Sequence, residues 1–330
     1  MTLRWKFIVV AIILLLGCLF SLSTGQSSLS LQELWKTLLG DGTSRQELVL
    51  FQFRIPRMIL AFLVGGALAI AGMLLQAISR NALADPGILG INAGAGLTMM
   101  LFLLLQNSST SVHTYVQPLY ALMGGFIVVA LLFLLSYDRN DGIVPIRLIY
   151  TGVAIAAAIS AFMIVLTYIL DPSQYQMIKV WLAGNIGNSN WSDVYAMLPW
   201  LIIIVPLLIR NHLLLDVLKL NDPISISIGA SVNKYRVWFL VCSVLLAAPA
   251  VAVSGSIGFV GLVVPHLVRQ LFGHAHKLTI PACLLIGGGL VVIADALGKM
   301  VVANTEIPAG VIVALIGAPY FLYLLIKSDH

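Results

Sequence analysis

The sequence predicts an all-α integral membrane protein of about ten transmembrane helices, and three observations carry that prediction. Of the 330 residues 60% are hydrophobic and 9% charged, with a mean hydropathy of +1.02; an ordinary soluble domain carries about a quarter charged residues. The apolar residues fall in long runs, and a helix needs about 20 of them to cross a bilayer. The charges collect in the gaps, above all in the stretch Arg210 to Arg236.

In chain order the runs are 5–24, 56–79, 87–106, 115–137, 147–170, 193–209, 236–254, 256–272, 279–301 and 309–326. The first follows Arg4 and Lys6 as a secretory signal would, but Ser21–Ser27 offers no small-x-small cleavage site, so it reads as an uncleaved span. Pro86 to Tyr137 holds no charged residue and is too long for one span; QNSSTSVHT in its middle supplies a turn. Ser254-Gly255-Ser256 divides the run from Val237 to Val268 in the same way. The whole chain, 1–330, reads as one membrane domain.

Ten spans place both termini on one side. With the N-terminus inside, the outer side keeps Lys36, Arg45, Arg54, Arg57, Lys179 and Lys299, and the other twelve of the 18 basic residues fall inside. The positive-inside rule therefore predicts cytoplasmic termini and a cytoplasmic 210–236 segment. The net charge of +5 is a topological signal and carries no implication of nucleic acid. Cys18, Cys242 and Cys283 lie in apolar runs without metal-ligand spacing and read as buried filler.

The 210–236 segment is longer than a connection requires. Asp222-Pro223 reads as a helix start and Gly229 as its stop. The intervening helix would expose Ile224, Ile228 and Val232 as an apolar ridge on the water side, where another protein presses. ALAIAG at 67–72 and AVAVSG at 250–255 echo each other five spans apart, an odd number, so spans 2–5 and 7–10 read as an inverted repeat.

Six ordered motifs resemble the FecCD family of ABC-transporter permeases. They are Arg54-Ile55-Pro56-Arg57 followed by GGALAIAGMLLQ; NALADPG at 81–87 followed by LGINAGA; WLAG at 181–184; DPISISIGAS at 222–231; SGSIGFVGLVVPHLVR at 254–269; and EIPAGVIVALIGAPYFLYLL at 306–325. Ala82 departs from the family pattern, which commonly has Pro there. The resemblance implies a type II importer permease, similar to the vitamin B12 importer, in a bacterial cytoplasmic membrane. It implies import of an iron-siderophore complex, with haem or vitamin B12 as alternatives. The implied partners are a second permease subunit (the same chain or a similar one), two ATP-binding subunits at the cytoplasmic face, an extracytoplasmic substrate-binding protein and membrane lipid.

Site roles follow from the same resemblance. Arg54 and Arg57, with Lys299, would dock acidic residues of the binding protein, a task suited to paired guanidiniums. Snorkelling to lipid phosphates is the competing role for the arginines, and an i,i+4 pair with Asp295 for Lys299. Asp222, Pro223, Ile224, Ser225, Ile228 and Gly229 would couple to the ATPase. Asn81 and Leu83 would narrow the cytoplasmic exit; the competing reading of this loop is that Asp85-Pro86 only caps the third span. His266 and Arg269 share a helical face whose part is structural, and His274 and His276 read as an exposed loop. The chain has no P-loop, so it is not itself an enzyme, and no cofactor is expected. An ion-coupled secondary transporter would need more intramembrane carboxylates than Asp295. An intramembrane enzyme would need paired Asp, Ser/His or a His-rich cluster, which the sequence lacks.

Overall fold

The computed structural model describes residues 3–25, 30–105, 117–138, 142–301 and 306–328. The turn expected over 106–114, with His113, lies outside the described residues, as do Arg139 and His330. The first helices are α1 (Leu3–Ser23), α2 (Leu31–Leu38) and α3 (Ser44–Glu47). A π-helical stretch, Leu48–Arg54, then runs into α4 (Ile55–Ser79). Next come α5 (Ile91–Leu105), α6 (Gln117–Ser136), a two-residue antiparallel ladder of β1 (Tyr137–Asp138) and β2 (Gly142–Ile143), α7 (Pro145–Thr167), α8 (Pro172–Leu182) and α9 (Trp191–Arg210). Two short helices follow, α10 (His212–Leu218) and α11 (Asp222–Ser227). The chain closes with α12 (Val232–Ser254), α13 (Val260–Phe272), α14 (His276–Gly298) and α15 (Ala309–Ser328).

Ten of these helices occupy the ten apolar runs. The third and eighth are shorter than expected: α5 has 15 residues and α13 has 13. Both deficits have one cause, since the chain before each is unwound for several residues beyond the break its sequence marks. Asp85-Pro86 accordingly opens a turn six residues before α5 and does not cap the helix itself.

The spans pair as two inverted copies require. α4 packs on α14 as α12 packs on α6; α5 meets α6 and α7 as α13 meets α14 and α15; α4 and α12 face each other across the centre. Lipid offers no hydrophobic drive for helix association, so small residues that let backbones approach do the joining. α4 shows this twice. A Cβ at Gly65 would lie 2.2 Å from the Gly287 carbonyl oxygen, and one at Gly72 would lie 2.0 Å from that of Gly261. α4 is almost wholly buried, whereas α1, α7 and α15 present Leu15, Ile164 and Leu315 outward.

Contacts define the two ends of the bundle. Phe7 lies against Phe272 with ring centroids 4.6 Å apart, and Asp216 of α10 meets His276 at the start of α14. The start of α1, the end of α13 and the 210–236 segment thus share one end, the loop end. At the opposite, far end Arg54 donates to the Leu22 carbonyl where α1 finishes.

Candidate functional site

Two unwound segments, one from each half, meet inside the bundle. In the first half, α4 ends on Arg80 in the left-handed region (φ 52°). The Asn81 side chain accepts the Leu83 N–H at 2.8 Å, and Asp85 Oδ1 accepts that of Gly87 at 2.7 Å. In the second half, α12 ends at Gly255 and α13 starts after Phe259 (φ 66°). Arg80 and Phe259 are the described non-glycine residues with positive φ, a conformation costing roughly 1–2 kcal/mol for an L-residue. Arg80 opens the break after α4 and Phe259 closes the break before α13. Strain held at equivalent breaks points to a working part of the molecule.

The two segments touch. Asn92 Nδ2 donates to Ser256 Oγ at 2.9 Å, while Asn92 Oδ1 is buried with no partner among the described residues. Asp85, only 7% exposed, lies against the first turn of α13, where a Cβ at Gly261 would be 2.6 Å from its Oδ2. Helix N-termini favour such a carboxylate. Gln76 of α4 donates to the Gly261 carbonyl at 3.1 Å and accepts from Arg269 at 2.6 Å. Arg269 therefore braces α13 against α4, and His266 turns away to Gln270 and the Tyr320 ring.

Beside this junction opens a cavity of about 740 Å³. Its walls come from both unwound segments and from α5, α7, α8, α13 and α15. They are chiefly apolar, including Met100, Met163 and Phe259, with Asp85, Asn92, Ser160, Tyr175, Lys179 and Ser256 as polar points. Mostly apolar walls with few polar groups mark a small-molecule site or path. Asn81 and Leu83 are half-buried and do not line it.

At the far end the three cations predicted for docking come together. Arg54, Arg57 and Lys299 line a second cavity of about 230 Å³ with Glu306. Arg57 grips Asp295 through Nε and Nη2 (2.7–3.1 Å) and Glu306 through Nη1 at 2.8 Å. Lys299 Nζ holds the other oxygen of Asp295 at 2.7 Å, the i,i+4 pair the spacing allows. The Asp295 side chain is 2% exposed. The Arg57 guanidinium is thus directed inward to carboxylates of its own chain.

At the loop end α11 starts at Asp222-Pro223 and stops at Gly229 (φ +85°), with Ala230 N–H closing on the Ser225 carbonyl at 3.0 Å. Asp222 accepts from Arg236 at 2.8 and 2.9 Å and from Arg80 at 2.6 Å, tying α11 to α12 and to the break after α4. Ile224, Ile226 and Ile228 are exposed. Ser225 is buried, its hydroxyl on the Val217 carbonyl at 3.1 Å. The expected ridge needs correction at one end. Val232 is buried, because the turn at Gly229 starts a new helix and points that side chain into the core; Ile226 takes its place outside. His276 is also buried, bonded through Nδ1 to Asp216 at 2.8 Å. Burial alone would raise the Asp216 carboxyl, but hydrogen bonds from Lys219 and His276 and their charge hold it below the usual carboxylate range. Among the described residues no group of three or more His, Cys, Asp or Glu could hold a metal ion.

Residues 13–327 match the FecCD transport family. The chain belongs to that family. It is 41% identical over 328 residues to the iron-uptake system permease protein FeuC of Bacillus subtilis (strain 168), covering 98% of this chain and 97% of that one. It is 38% identical over 313 residues to the iron(3+)-hydroxamate import system permease protein FhuG of the same organism, covering 94% and 93%. A solved structure of a metal-chelate type ABC transporter in an inward-facing conformation superposes with a TM-score of 0.86 at 30% identity, covering 98% of this chain and 99% of that one.

Three motifs that mark the chain as FecCD lock together in space. The Trp181 carbonyl accepts the Ser256 N–H at 3.4 Å, and the Gly184 carbonyl accepts that of Gly310 at 2.9 Å, so WLAG joins SGSIG to IPAG. Sequence reasoning missed Glu306, Arg80, Arg236, Asn92, Tyr175 and Lys179 as site residues. Lys179 carried a signal, a lone cation two residues before WLAG. The partners of Asp222 and Arg57 carried none, being distant in sequence.

Proposed function

We propose that the chain is the membrane-spanning permease subunit of an ABC importer carrying an iron-siderophore or similar ferric chelate into the cytoplasm. The observation that carries this reading is identity of 38–41% over almost the whole chain to two permeases of iron importers. The geometry agrees with it. The sequence has no ATP site, and α11 offers an exposed isoleucine ridge on a helix anchored by Asp222 to two other elements. A neighbouring ATPase closing on that ridge would move α4 and α12 through Arg80 and Arg236, and so shift the junction beside the large cavity. In this reading the loop end and both termini face the cytoplasm, where two ATP-binding subunits sit. A second permease subunit covers the bare face of α7 and α15. The loop of Asn81 and Leu83 narrows the exit.

At the far end an extracytoplasmic binding protein docks over Arg54, Arg57 and Lys299. Three cations stand there with the two carboxylates Asp295 and Glu306, so an incoming acidic side chain meets one positive charge in excess.

Uptake of radiolabelled iron chelates in a deletion strain tests the reading. Wild-type permease with its ATPase restores uptake, and permease without the ATPase does not. Concentrative uptake by the permease alone would favour an ion-coupled transporter instead. Cysteine at exposed Ser227 should crosslink to the ATPase, while cysteine at buried Ser225 should not.

A further inference from the structure

We propose that Lys179 selects cargo by charge, favouring ferric chelates that carry net negative charge, those with carboxylate or catecholate donors, over neutral ones. The proposal rests on the permease reading above and assigns a substrate class to the large cavity.

Among the residues lining that cavity, Lys179 is the cation and Asp85 the carboxylate. They are not equivalent. Asp85 is buried, engaged by the Gly87 N–H and set against the N-terminal turn of α13, whose partial positive charge offsets it. Lys179 is exposed, with its Nζ 4.9 Å from the centroid of the Tyr175 ring. A cation over a ring face is steadied without losing its charge. No carboxylate pairs with Lys179 among the described residues.

Lys179 is also not needed to hold its own helix. α8 begins with a capping box at Asp171 and is fixed to α5 by Gln174, which donates to the Leu103 carbonyl at 2.9 Å, and by buried Ile178. The ammonium is therefore available to whatever enters. Water reaches Lys179 but the walls beside it are apolar, so one uncompensated charge at contact range shifts passage of an anion by roughly tenfold.

The test is the ratio of uptake of an anionic ferric citrate or catecholate chelate to that of a neutral ferric trihydroxamate. It is measured with the complete importer, binding protein and ATPase included, in proteoliposomes. A ratio cancels differences in expression. It should fall by roughly tenfold in Lys179→Met, fall further in Lys179→Glu, and stay near wild type in Lys179→Arg; the wild-type preference should shrink as salt rises. An unmoved ratio, or wild-type protein that carries only neutral or cationic chelates, overturns the proposal and leaves the permease reading standing. If wild type carries only anionic chelates, Lys179→Arg must retain transport that Lys179→Glu loses; equal loss in both also overturns it. Failure of wild type on every ferric chelate instead strikes the permease reading itself.

Discussion

The two ends of the bundle use the same chemistry, arginine on aspartate, in opposite surroundings. At the far end Asp295 is 2% exposed and gathers Arg57 and Lys299, while Glu306 takes the outer nitrogen of Arg57. At the loop end Asp222 is 39% exposed and gathers Arg80, also partly exposed, and Arg236, which is buried. Burial decides what each cluster does. A charge group sealed from water is held in one arrangement, since removing any member strands the others in a medium that cannot solvate them. A cluster that water reaches can open and close at low cost. The far end thus forms a fixed clamp between the halves, and the loop end a joint between α11 and the spans α4 and α12.

The largest expected effect tests the clamp. Asp295→Asn leaves two cations buried beside a neutral amide and should cost about 3–5 kcal/mol, seen as collapse of the folded yield in detergent and a large drop in thermal midpoint. Asp222→Asn should cost less, about 1–2 kcal/mol, because water reaches Asp222 and Arg80 although Arg236 is buried, yet abolish uptake because α11 loses its hold on α4 and α12. If the order of the two midpoints is reversed, burial is not what separates the clusters. Gly229→Ala isolates the backbone of the joint. A Cβ there meets nothing within 4 Å, so the cost is the left-handed conformation alone, about 1 kcal/mol.

The same contrast explains what could be read from the sequence. Ten spans, the inverted repeat and the start and stop of α11 were legible because each rests on local chemistry: apolar runs, small residues, Asp-Pro and Gly. The half-length of α5 was not. Asp85-Pro86 marks a boundary, but Gly87 to Ile91 holds no charge and reads as the start of a span; its break depends on the positive φ of Gly90 and on a carboxylate buried against the other half of the protein. Arg57, Asp295 and Lys299 were each picked out, but the partnership of Arg57 with Asp295 joins residues 238 apart and no spacing rule reaches that far. Helical spacing carried through Gly229 puts Val232 on the ridge, whereas the chain starts a new helix there, and nothing near His276 announces its partner, Asp216, 60 residues upstream.

Acidification gives the gentlest test, at the Asp216 pairs that tie α10 to α14. The Asp216 carboxyl lies below the usual range in the folded protein, so its contribution is complete above the unfolded value of about 3.9 and disappears as pH falls through the lower folded value. The difference in thermal midpoint between wild type and Asp216→Asn should therefore stay constant from neutral pH down to about 5 and close below about 4. Its size should correspond to less than about 1 kcal/mol, because water reaches the carboxylate. Burial lowers the His276 imidazole to about 4, so the decisive range lies above that: a gap that widens between neutral pH and about 5 would mean that the folded chain holds Asp216 protonated more readily than the unfolded one. That would place the residue with the sealed clamp and not with the open joint, and the division of the molecule into a fixed end and a moving end would fail at its weakest pair.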